Sequence, residues 1–456
     1  MTPEKTPALD PNDPRYWDPR DLEAELRRVF SICHGCRMCV GYCPAFPELF
    51  ARIDEHVRRG KGEAEALDDR DFQAVDALCF QCKLCYFKCP YTPDDGHPWH
   101  VDFPRLMLRH RAQRARRDGI PIQDRVLGEP QWLGRAGSGP AAPLANLVSA
   151  SRLVRKVQER LTGISADFPQ PPFAREPFPT WWRRREPAVV APVRGEVALF
   201  STCTANFHMP ATAIAAVRLF EAHGWRVHWP AGQTCCGMPN LDGGNVDAAR
   251  DKARRNVEAL LPHVDAGRMV VVPGPTCSYV LRREYPELVG TEAARRVAAA
   301  THDLMELVRG AVRRKQIDLR PVRSLGRVGY HAACHLRAQK FGFPAAQLLE
   351  RAPETTVTVV EQCSAVDGTW GMKAQYYELG RRYARKLVAS MEGEGRFDWI
   401  ASDCPLSALR LEHELGRPVR HPIQLLAYAC GLETADGSDA NGAGRGREDE
   451  RTDAAD

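Results

Sequence analysis

The sequence predicts an α+β fold of several domains, in which a mostly helical N-terminal domain precedes a pair of α/β modules. The 456 residues exceed the length of one ordinary domain, so two or three are expected. The sixteen cysteines fall into two groups, eight from Cys33 to Cys89 and eight from Cys203 to Cys430. The second half alternates short β-rich runs with helical patterns, which is typical of βαβ units and a parallel sheet.

Composition narrows the class of protein. Hydrophobic residues make up 44% and charged residues 27%, as in soluble globular proteins, and a net charge of +5 does not indicate nucleic-acid binding. No apolar run approaches the roughly 18 residues of a membrane span. The polar, proline-rich N-terminus has no secretory signal, so a cytoplasmic location is expected. Cysteines there stay reduced, which favours metal ligands or redox groups over disulfides.

The N-terminal cysteines form two runs with the same spacing, each ending in a Cys-Pro pair: Cys33, Cys36, Cys39 and Cys43, then Cys79, Cys82, Cys85 and Cys89. This spacing is typical of two-cluster ferredoxins, in which the fourth cysteine ligates the other cluster. We therefore expect two [4Fe–4S] clusters with exchanged fourth ligands: Cys33, Cys36, Cys39 and Cys89 for the first, and Cys79, Cys82, Cys85 and Cys43 for the second. A pair of zinc knuckles is the alternative, although zinc sites need neither the third cysteine nor the proline.

Residues 101–195 are predicted to be helices followed by a linker. Six arginines between Arg105 and Arg117 predict either a solvated face or a docking face for an acidic partner. Leu144 to Leu161 has the periodicity of one amphipathic helix. Seven prolines in the 25 residues from Phe168 to Pro192 are typical of a semi-rigid linker.

Two tryptophans in this linker, Trp181 and Trp182, directly precede Arg183, Arg184 and Arg185. Indoles favour the bilayer interface and arginines favour anionic lipid, so the segment is a candidate for a peripheral contact with the inner face of the cell membrane. The alternative is that the indoles pack against a domain and fix the linker.

The C-terminal cysteines follow an internal repeat. In the first half, 31 residues separate Cys203 from Cys235-Cys236-Gly237, and 40 separate Cys236 from Cys277. In the second half, 28 residues separate Cys334 from Cys363, and 39 separate Ser364 from Cys404. The similar intervals predict a duplication in which each cysteine follows a short β-rich run.

Cysteines at the carboxyl ends of parallel strands meet at one edge of the sheet. We therefore expect four thiols to converge on a third site, which suits an iron–sulfur cluster or zinc: Cys203, Cys235, Cys236 and Cys277. The second module offers three cysteines and two histidines, which suit zinc or a simple cluster: Cys334, Cys363, Cys404, His331 and His335. A metal-free, vestigial second module is the alternative.

Together these features resemble the heterodisulfide-reductase-like, cysteine-rich (CCG-domain) iron–sulfur oxidoreductases. That family includes the C subunit of anaerobic glycerol-3-phosphate dehydrogenase and the iron–sulfur subunits of glycolate and lactate oxidation systems. The specific segments are Ala198–Cys203, Thr234–Pro239, Thr276–Tyr279, Arg282–Glu287, Tyr330–His335 and Ser402–Cys404. The resemblance implies a subunit that relays electrons from a flavin-containing dehydrogenase, or another redox protein, toward a membrane quinone or another acceptor.

The sequence departs from this family where a disulfide-reducing site would be completed. The resemblance implies five cysteines per module ending in Cys-x-x-Cys, whereas Ser278-Tyr279-Val280 follows Cys277. In the second module Ser364, Ala365 and Ser407 replace two cysteines and a glycine. The relay subunit is therefore the main prediction. The alternatives are a stand-alone reductase of a disulfide or of a small redox partner, and a metal-stabilised scaffold.

These predictions divide the chain into five parts. They are a two-cluster ferredoxin-type domain over 20–125, a helix and proline-rich linker over 126–195, a first Cys-Cys-Gly module over 196–310, a second, degenerate module over 325–432, and a disordered tail over 433–456.

Overall fold

The computed structural model describes residues 6–366 and 368–433. It is rich in helices and contains two small parallel sheets, in agreement with the predicted mixed class. Apart from Glu433, the predicted tail lies outside the described residues. No helix within these two ranges is long and apolar enough to cross a bilayer.

The N-terminal region consists of helices packed around the two cysteine runs. Phe103 lies at the centre of its core, with the ring centroids of Phe30 and Phe46 at 5.8 and 4.7 Å. The second helix ends at Arg58. The helices are α1 (Pro19–Cys36), α2 (Ala45–Arg58), α3 (Asp69–Ala77), α4 (Leu84–Lys88) and α5 (Phe103–Asp118).

The middle of the chain is more helical than a linker. The single helix predicted over Leu144–Leu161 is wrong: Ser151 adopts an extended conformation that ends one helix, and its hydroxyl accepts from the Val154 N–H to begin the next. The helices are α6 (Ile122–Leu127), α7 (Pro130–Gly137), α8 (Ala142–Ala150), α9 (Arg152–Thr162) and α10 (Phe178–Arg184).

The two indoles of α10 pack against the C-terminal core. Trp181 and Trp182 lie 5.6 and 5.8 Å from the buried Phe178 ring, and the Arg185 guanidinium lies 3.8 Å from the Trp182 centroid. Arg185 also pairs with the buried carboxylate of Glu221 at 2.7 Å. The structure therefore agrees with the packing alternative, because these side chains hold the linker against the first module.

The first α/β module has a four-stranded parallel sheet in the order β2-β1-β3-β4. Parallel pairing brings the carboxyl ends of its strands to one edge, where the loops carrying cysteines follow. The elements are β1 (Gly195–Leu199), α11 (Cys203–Phe207), α12 (Pro210–Ala222), β2 (Trp225–His228), α13 (Met238–Asp242), α14 (Val246–Asp265), β3 (Met269–Val272), α15 (Pro275–Tyr279), α16 (Tyr285–Val289), α17 (Glu292–Ala300), β4 (Thr301–Asp303) and α18 (Leu304–Arg313).

The second module has the corresponding strand order, β6-β5-β7-β8, again all parallel. A buried aliphatic core from both modules joins the two sheets through α12, α18 and α23. The elements are β5 (Arg327–His331), α19 (Cys334–Arg337), α20 (Pro344–Leu349), β6 (Thr356–Val360), α21 (Ala374–Gly393), β7 (Trp399–Ser402), α22 (Pro405–Leu415), β8 (Val419–Arg420) and α23 (Pro422–Ala429).

Three of the six arginines on α5 bond to other parts of the protein, which neither sequence interpretation predicted. Arg109 is 0% exposed and donates to the Tyr16 carbonyl at 2.8 Å. Arg111 donates to the carboxylate and carbonyl of Asp76 at 2.7 and 2.8 Å, and Arg105 pairs with Glu287. These side chains tie the N-terminal helices to their neighbours instead of presenting a charged surface.

Asp76 is the carboxylate at the centre of this arrangement, and we expect its loss to destabilise the fold. Burial alone would raise the pKa of Asp76, but Arg111 and His110 outweigh burial and lower the pKa to about 2. Removing one partner of a buried ion pair costs about 3–5 kcal/mol. Asp76→Asn should lower the free energy of unfolding at pH 7 by that amount in urea titrations.

The matched control is Asp69→Asn, since Asp69 is exposed and lies 3.5 Å from Arg117. It should change the free energy of unfolding by less than about 0.5 kcal/mol. Because the folded pKa of Asp76 is below the unfolded value, its stabilisation should be complete above about pH 4 and disappear as pH falls toward 2. Equal stability of both variants would contradict the assigned role.

Candidate cysteine-ligated sites

The first set of cysteines, here site I, surrounds a small cavity at the C-terminal end of α1. Arg37 follows Cys36 in the left-handed conformation, at φ 53°, and turns the chain back so that Cys39 reaches the same cavity. Cys89 also lines it, whereas Cys43 does not. Site I therefore comprises four cysteines: Cys33, Cys36, Cys39 and Cys89.

The second set, here site II, surrounds a second small cavity. Gln81 and Lys83 both have positive φ, 57° and 64°, and these two turns fold the loop so that Cys79, Cys82 and Cys85 all line the cavity. Phe46 lines both cavities. Site II comprises Cys43, Cys79, Cys82 and Cys85, so each cavity takes its fourth cysteine from the other run.

The electrostatics of these sets fit a cationic group better than four bare thiolates. Burial raises the pKa of Cys33 well above its usual value, and the nearby Cys39, Cys89 and Cys36 raise it further. Burial and the neighbouring Cys82 and Cys79 do the same for Cys85. Thiolates crowded in a low-dielectric cavity repel one another, so bound iron would supply the charge that stabilises them.

Site III lies at the carboxyl edge of the first sheet. Cys203 begins α11 after β1, Cys277 lies on α15 after β3, and Cys235-Cys236 forms the turn before α13. Gly237 has φ 91°, a conformation that a side chain would strain. Hydrogen bonds from Cys203 and Cys236 lower the pKa of Cys235, whose sulfur also accepts from the Gly237 N–H at 3.5 Å. Cys236 is in turn hydrogen-bonded to Cys277, so contacts connect the four thiols that the sequence assigns to one site.

Two buried residues that the sequence analysis missed hold the Cys235-Cys236 turn. Asn256 of α14 donates to the Cys235 carbonyl at 3.1 Å and accepts from the Thr234 N–H at 2.7 Å. Tyr285 donates to the Cys236 carbonyl at 3.1 Å and accepts from Asn256 at 2.8 Å. Tyr285 lies within the segment Arg282–Glu287 that carries the family resemblance, which was the available signal for its role.

Site IV, formed by the second module, keeps the turn but not the complete donor set. Ala365 has φ 51°, in the left-handed region where Gly237 lies, and its N–H donates to the Cys363 sulfur at 3.2 Å. Ser364 and Ser407, which replace two cysteines of the family pattern, are 2.8 Å apart through their hydroxyls. The remaining cysteines follow their strands as predicted: Cys334, Cys363 and Cys404.

Both histidines predicted beside site IV use both ring nitrogens in protein hydrogen bonds. His331 contacts the Ser402 hydroxyl at 2.9 Å and donates to the Gln362 carbonyl at 3.1 Å. His335 contacts the Thr276 hydroxyl at 2.9 Å and donates to the Gln81 carbonyl at 3.0 Å. Burial lowers the pKa of each to about 4, so both rings are neutral at pH 7.

His335 connects loops from three of the four sites. Its Nε2 bonds Gln81, which lies between Cys79 and Cys82 of site II, and its Nδ1 bonds Thr276, which precedes Cys277 of site III. It directly follows Cys334 of site IV. The Tyr279 ring stacks on the imidazole at 5.3 Å and 19°. Its neighbours hold this ring in a single orientation between sites II and III.

The segment Arg282–Glu287 joins the first module to the N-terminal domain. The carboxylate of Glu284 lies 3.6 Å from the Lys83 ammonium and 3.6 Å from the Arg105 guanidinium. Arg283 pairs with Asp94, and Arg105 donates to the Arg283 carbonyl at 2.6 Å. These contacts fix the loop of site II against site III.

Within residues 6–366 and 368–433, no group of three or more His, Cys, Asp or Glu side chains is arranged to hold a metal ion. The cysteines of sites I and II instead line cavities.

Comparison with known proteins agrees with this architecture. The family model described as the Citrate utilization protein B Fer4-like domain matches residues 26–117, which carry sites I and II. The model described as the Cysteine-rich domain, CCG, matches residues 197–282, which carry site III. The chain is 27% identical over 410 residues to the C subunit of anaerobic glycerol-3-phosphate dehydrogenase of Escherichia coli K12, covering 88% of this chain and 98% of that protein.

A second relative is Lactate utilization protein A of Geobacillus thermodenitrificans, which is 31% identical over 245 residues, 51% of this chain and 97% of the relative. The chain belongs to the CCG-domain iron–sulfur oxidoreductase family. A third relative, the B subunit of the fumarate reductase (CoM/CoB) of Methanothermobacter marburgensis, is 28% identical over 223 residues, 48% of this chain and 42% of the relative. The Fer4-like and CCG domains of this family member indicate iron–sulfur clusters and a role as an oxidoreductase subunit.

The exchange of fourth ligands gives a direct prediction. Because Cys89 lines the cavity of site I, Cys89→Ala should remove the EPR signal that Cys36→Ala removes and leave the signal that Cys82→Ala removes. Iron analysis and EPR of the three reduced variants make the comparison. A Cys89→Ala spectrum that matches Cys82→Ala would contradict the assignment.

Proposed function

We propose that the chain is an electron-transfer subunit that relays electrons from a flavoprotein-type donor toward quinone or another acceptor. In this proposal site I and site II each hold a [4Fe–4S] cluster, and site III holds a further iron–sulfur cluster. The Cys-x2-Cys-x2-Cys-x3-Cys-Pro spacing and the two four-cysteine cavities support the first two assignments. When bound, such clusters supply one-electron transfer.

The surroundings of site I suit electron exchange with another protein. Met38 and Val40, on either side of Cys39, are 58% and 52% exposed. The cysteines of site II, by contrast, are buried. Apolar surface beside a redox site favours docking of a partner, because excluding water there brings the two proteins into close contact. We propose that the redox partner contacts this side of the chain.

The observation that carries the proposal is the hydrogen-bonded bridge through His335. A relay needs short, fixed connections between its sites, and His335 links the backbone of site II to the residue before Cys277 of site III. Tyr279 stacks on the ring, and the Lys83 ammonium, paired with Glu284, lies over the Tyr279 ring, so the stack is held in place. The chain's own contribution is thus to hold the two cysteine loops at a constant separation.

We further propose that site IV is vestigial and supports site II instead of holding a cofactor. The contact between Ser364 and Ser407 replaces two thiolates by a pair of neutral hydroxyls. Cys334 and Cys363 pack against the hydrophobic core of the N-terminal domain, together with the buried Trp370. The zinc-binding alternative would require His331 or His335 to exchange a hydrogen bond for a metal.

The test replaces His335 by phenylalanine, which keeps a ring but removes both hydrogen bonds. Electron transfer from reduced methyl viologen to a water-soluble quinone should slow at least tenfold in His335→Phe, with the EPR signals of sites I and II retained. The matched control is His331→Phe. It removes an equally buried imidazole whose hydrogen bonds stay within the second module.

We expect the His331→Phe control to transfer electrons at close to the wild-type rate. Equal slowing in both variants would indicate a general loss of packing and contradict a specific bridge. An unchanged rate in His335→Phe would contradict it as well.

A further inference from the structure

Helix α9 presents its apolar side to solvent and its polar side to the protein. Leu153, Val154, Val157 and Leu161 are 75%, 41%, 52% and 69% exposed. On the opposite side Glu159 accepts from the Ala166 N–H at 2.6 Å, and Arg155 donates to the Ser165 carbonyl at 3.3 Å. A helix that packs on a globular core normally has the reverse orientation.

Helix α8 is inverted in the same way. Leu144, Leu147 and Val148 are 68%, 71% and 45% exposed. Asn146 faces inward, donating to the Phe173 carbonyl at 3.0 Å and accepting from the Phe173 N–H at 2.8 Å. The two inverted helices are packed against each other. We call the seven exposed residues the apolar face: Leu144, Leu147, Val148, Leu153, Val154, Val157 and Leu161.

The apolar face accounts for much of the exposed hydrophobic surface of the described chain. Ten of the sixteen large apolar side chains exposed there lie within residues 122–161, including Trp132 at 67%. Single exposed apolar residues are ordinary, but a concentrated patch marks a surface that another body covers. The polar anchoring of both helices also excludes a simple rotation that would bury the patch, because Asn146, Arg155 and Glu159 would lose their partners.

The charges beside the apolar face indicate what covers it. Arg152, Lys156 and Arg160 recur every four residues on α9, so they form one exposed stripe along its edge. The acidic residue of this helix, Glu159, is turned inward. An apolar helix face flanked by cations, with an indole nearby, suits a bilayer with anionic headgroups, in which such helices lie parallel to the surface.

We propose that α8 and α9 dock the chain onto an anionic lipid surface through the apolar face, with Arg152, Lys156 and Arg160 at the headgroups. The attachment is peripheral. This contact would bring an electron relay close to membrane quinone, and that purpose rests on the proposed function. The lipid contact is thereby assigned to these helices and not to Trp181 and Trp182, which pack against the core.

The test is flotation with vesicles of phosphatidylcholine, with and without phosphatidylglycerol, at low and high salt. Wild-type protein should float with anionic vesicles at low salt. L147Q/L153Q/V157Q should bind at least tenfold more weakly. R152Q/K156Q/R160Q should lose the preference for phosphatidylglycerol. The full chain is used throughout, and EPR of sites I and II confirms that each variant is intact.

Matched controls change the same residue types elsewhere on the surface. V190Q/V193Q/V322Q replaces three valines that are 54%, 49% and 70% exposed, and R175Q/R183Q/R184Q replaces three exposed arginines around α10. Both should bind vesicles like the wild type. Loss of binding in R175Q/R183Q/R184Q but not in R152Q/K156Q/R160Q would overturn the assignment.

Other occupants of the apolar face give different results. Absence of vesicle binding by the wild type would overturn the proposal, and so would self-association, measured by light scattering, that L147Q/L153Q/V157Q abolishes. Electron transfer between water-soluble reagents should be unchanged in every surface variant. If the wild type binds vesicles but does not transfer electrons, the proposed relay function is wrong and the proposed lipid contact is supported.

Discussion

The buried carboxylate of Glu284 holds the cysteine-bearing loops of the two halves of the chain against each other. Burial alone would raise its pKa, but Lys83 and Arg105 outweigh burial and keep the pKa below its usual value. A buried carboxylate in this position is stable because two cations pair with it. Both cations come from the N-terminal domain, so the ion pairs hold that domain against the first module. The hydrogen bond from His335 to the Gln81 carbonyl crosses the same boundary, while Tyr279 and Thr276 hold the His335 ring from the first module.

The cysteine pattern carried most of the predictive information about the sites. The exchange of Cys43 and Cys89 follows from the spacing of the two runs, because short loops leave few ways to return a sulfur. The meeting of Cys203, Cys235, Cys236 and Cys277 follows from their positions after parallel strands, whose carboxyl ends share one edge of the sheet. The buried arginines of α5 were not predictable in this way. Their partners, Asp76 and Glu287, come from other elements, and periodicity along one helix does not show which charges meet across the fold.

The inverted helices α8 and α9 are a second case in which the sequence pattern does not show the packing. Their apolar periodicity is visible in the sequence, but the side on which the rest of the protein packs is not. Asn146 and Glu159 decide the orientation by bonding to Phe173 and Ala166 of the following segment. Ser151, which breaks the helix, acts through a local hydrogen bond that is a recognised N-terminal cap and could have been identified.

The central claim is that the chain holds clusters at sites I, II and III but not at site IV. Iron analysis and EPR of the anaerobically purified protein test it most directly when the wild type is compared with Cys236→Ser and Cys363→Ser. We expect about eight irons in two [4Fe–4S] clusters that both variants retain. We also expect a further signal that Cys236→Ser removes and Cys363→Ser leaves intact. Equal loss of that signal in the two variants, or its absence from the wild type, would rule out a cluster at site III alone.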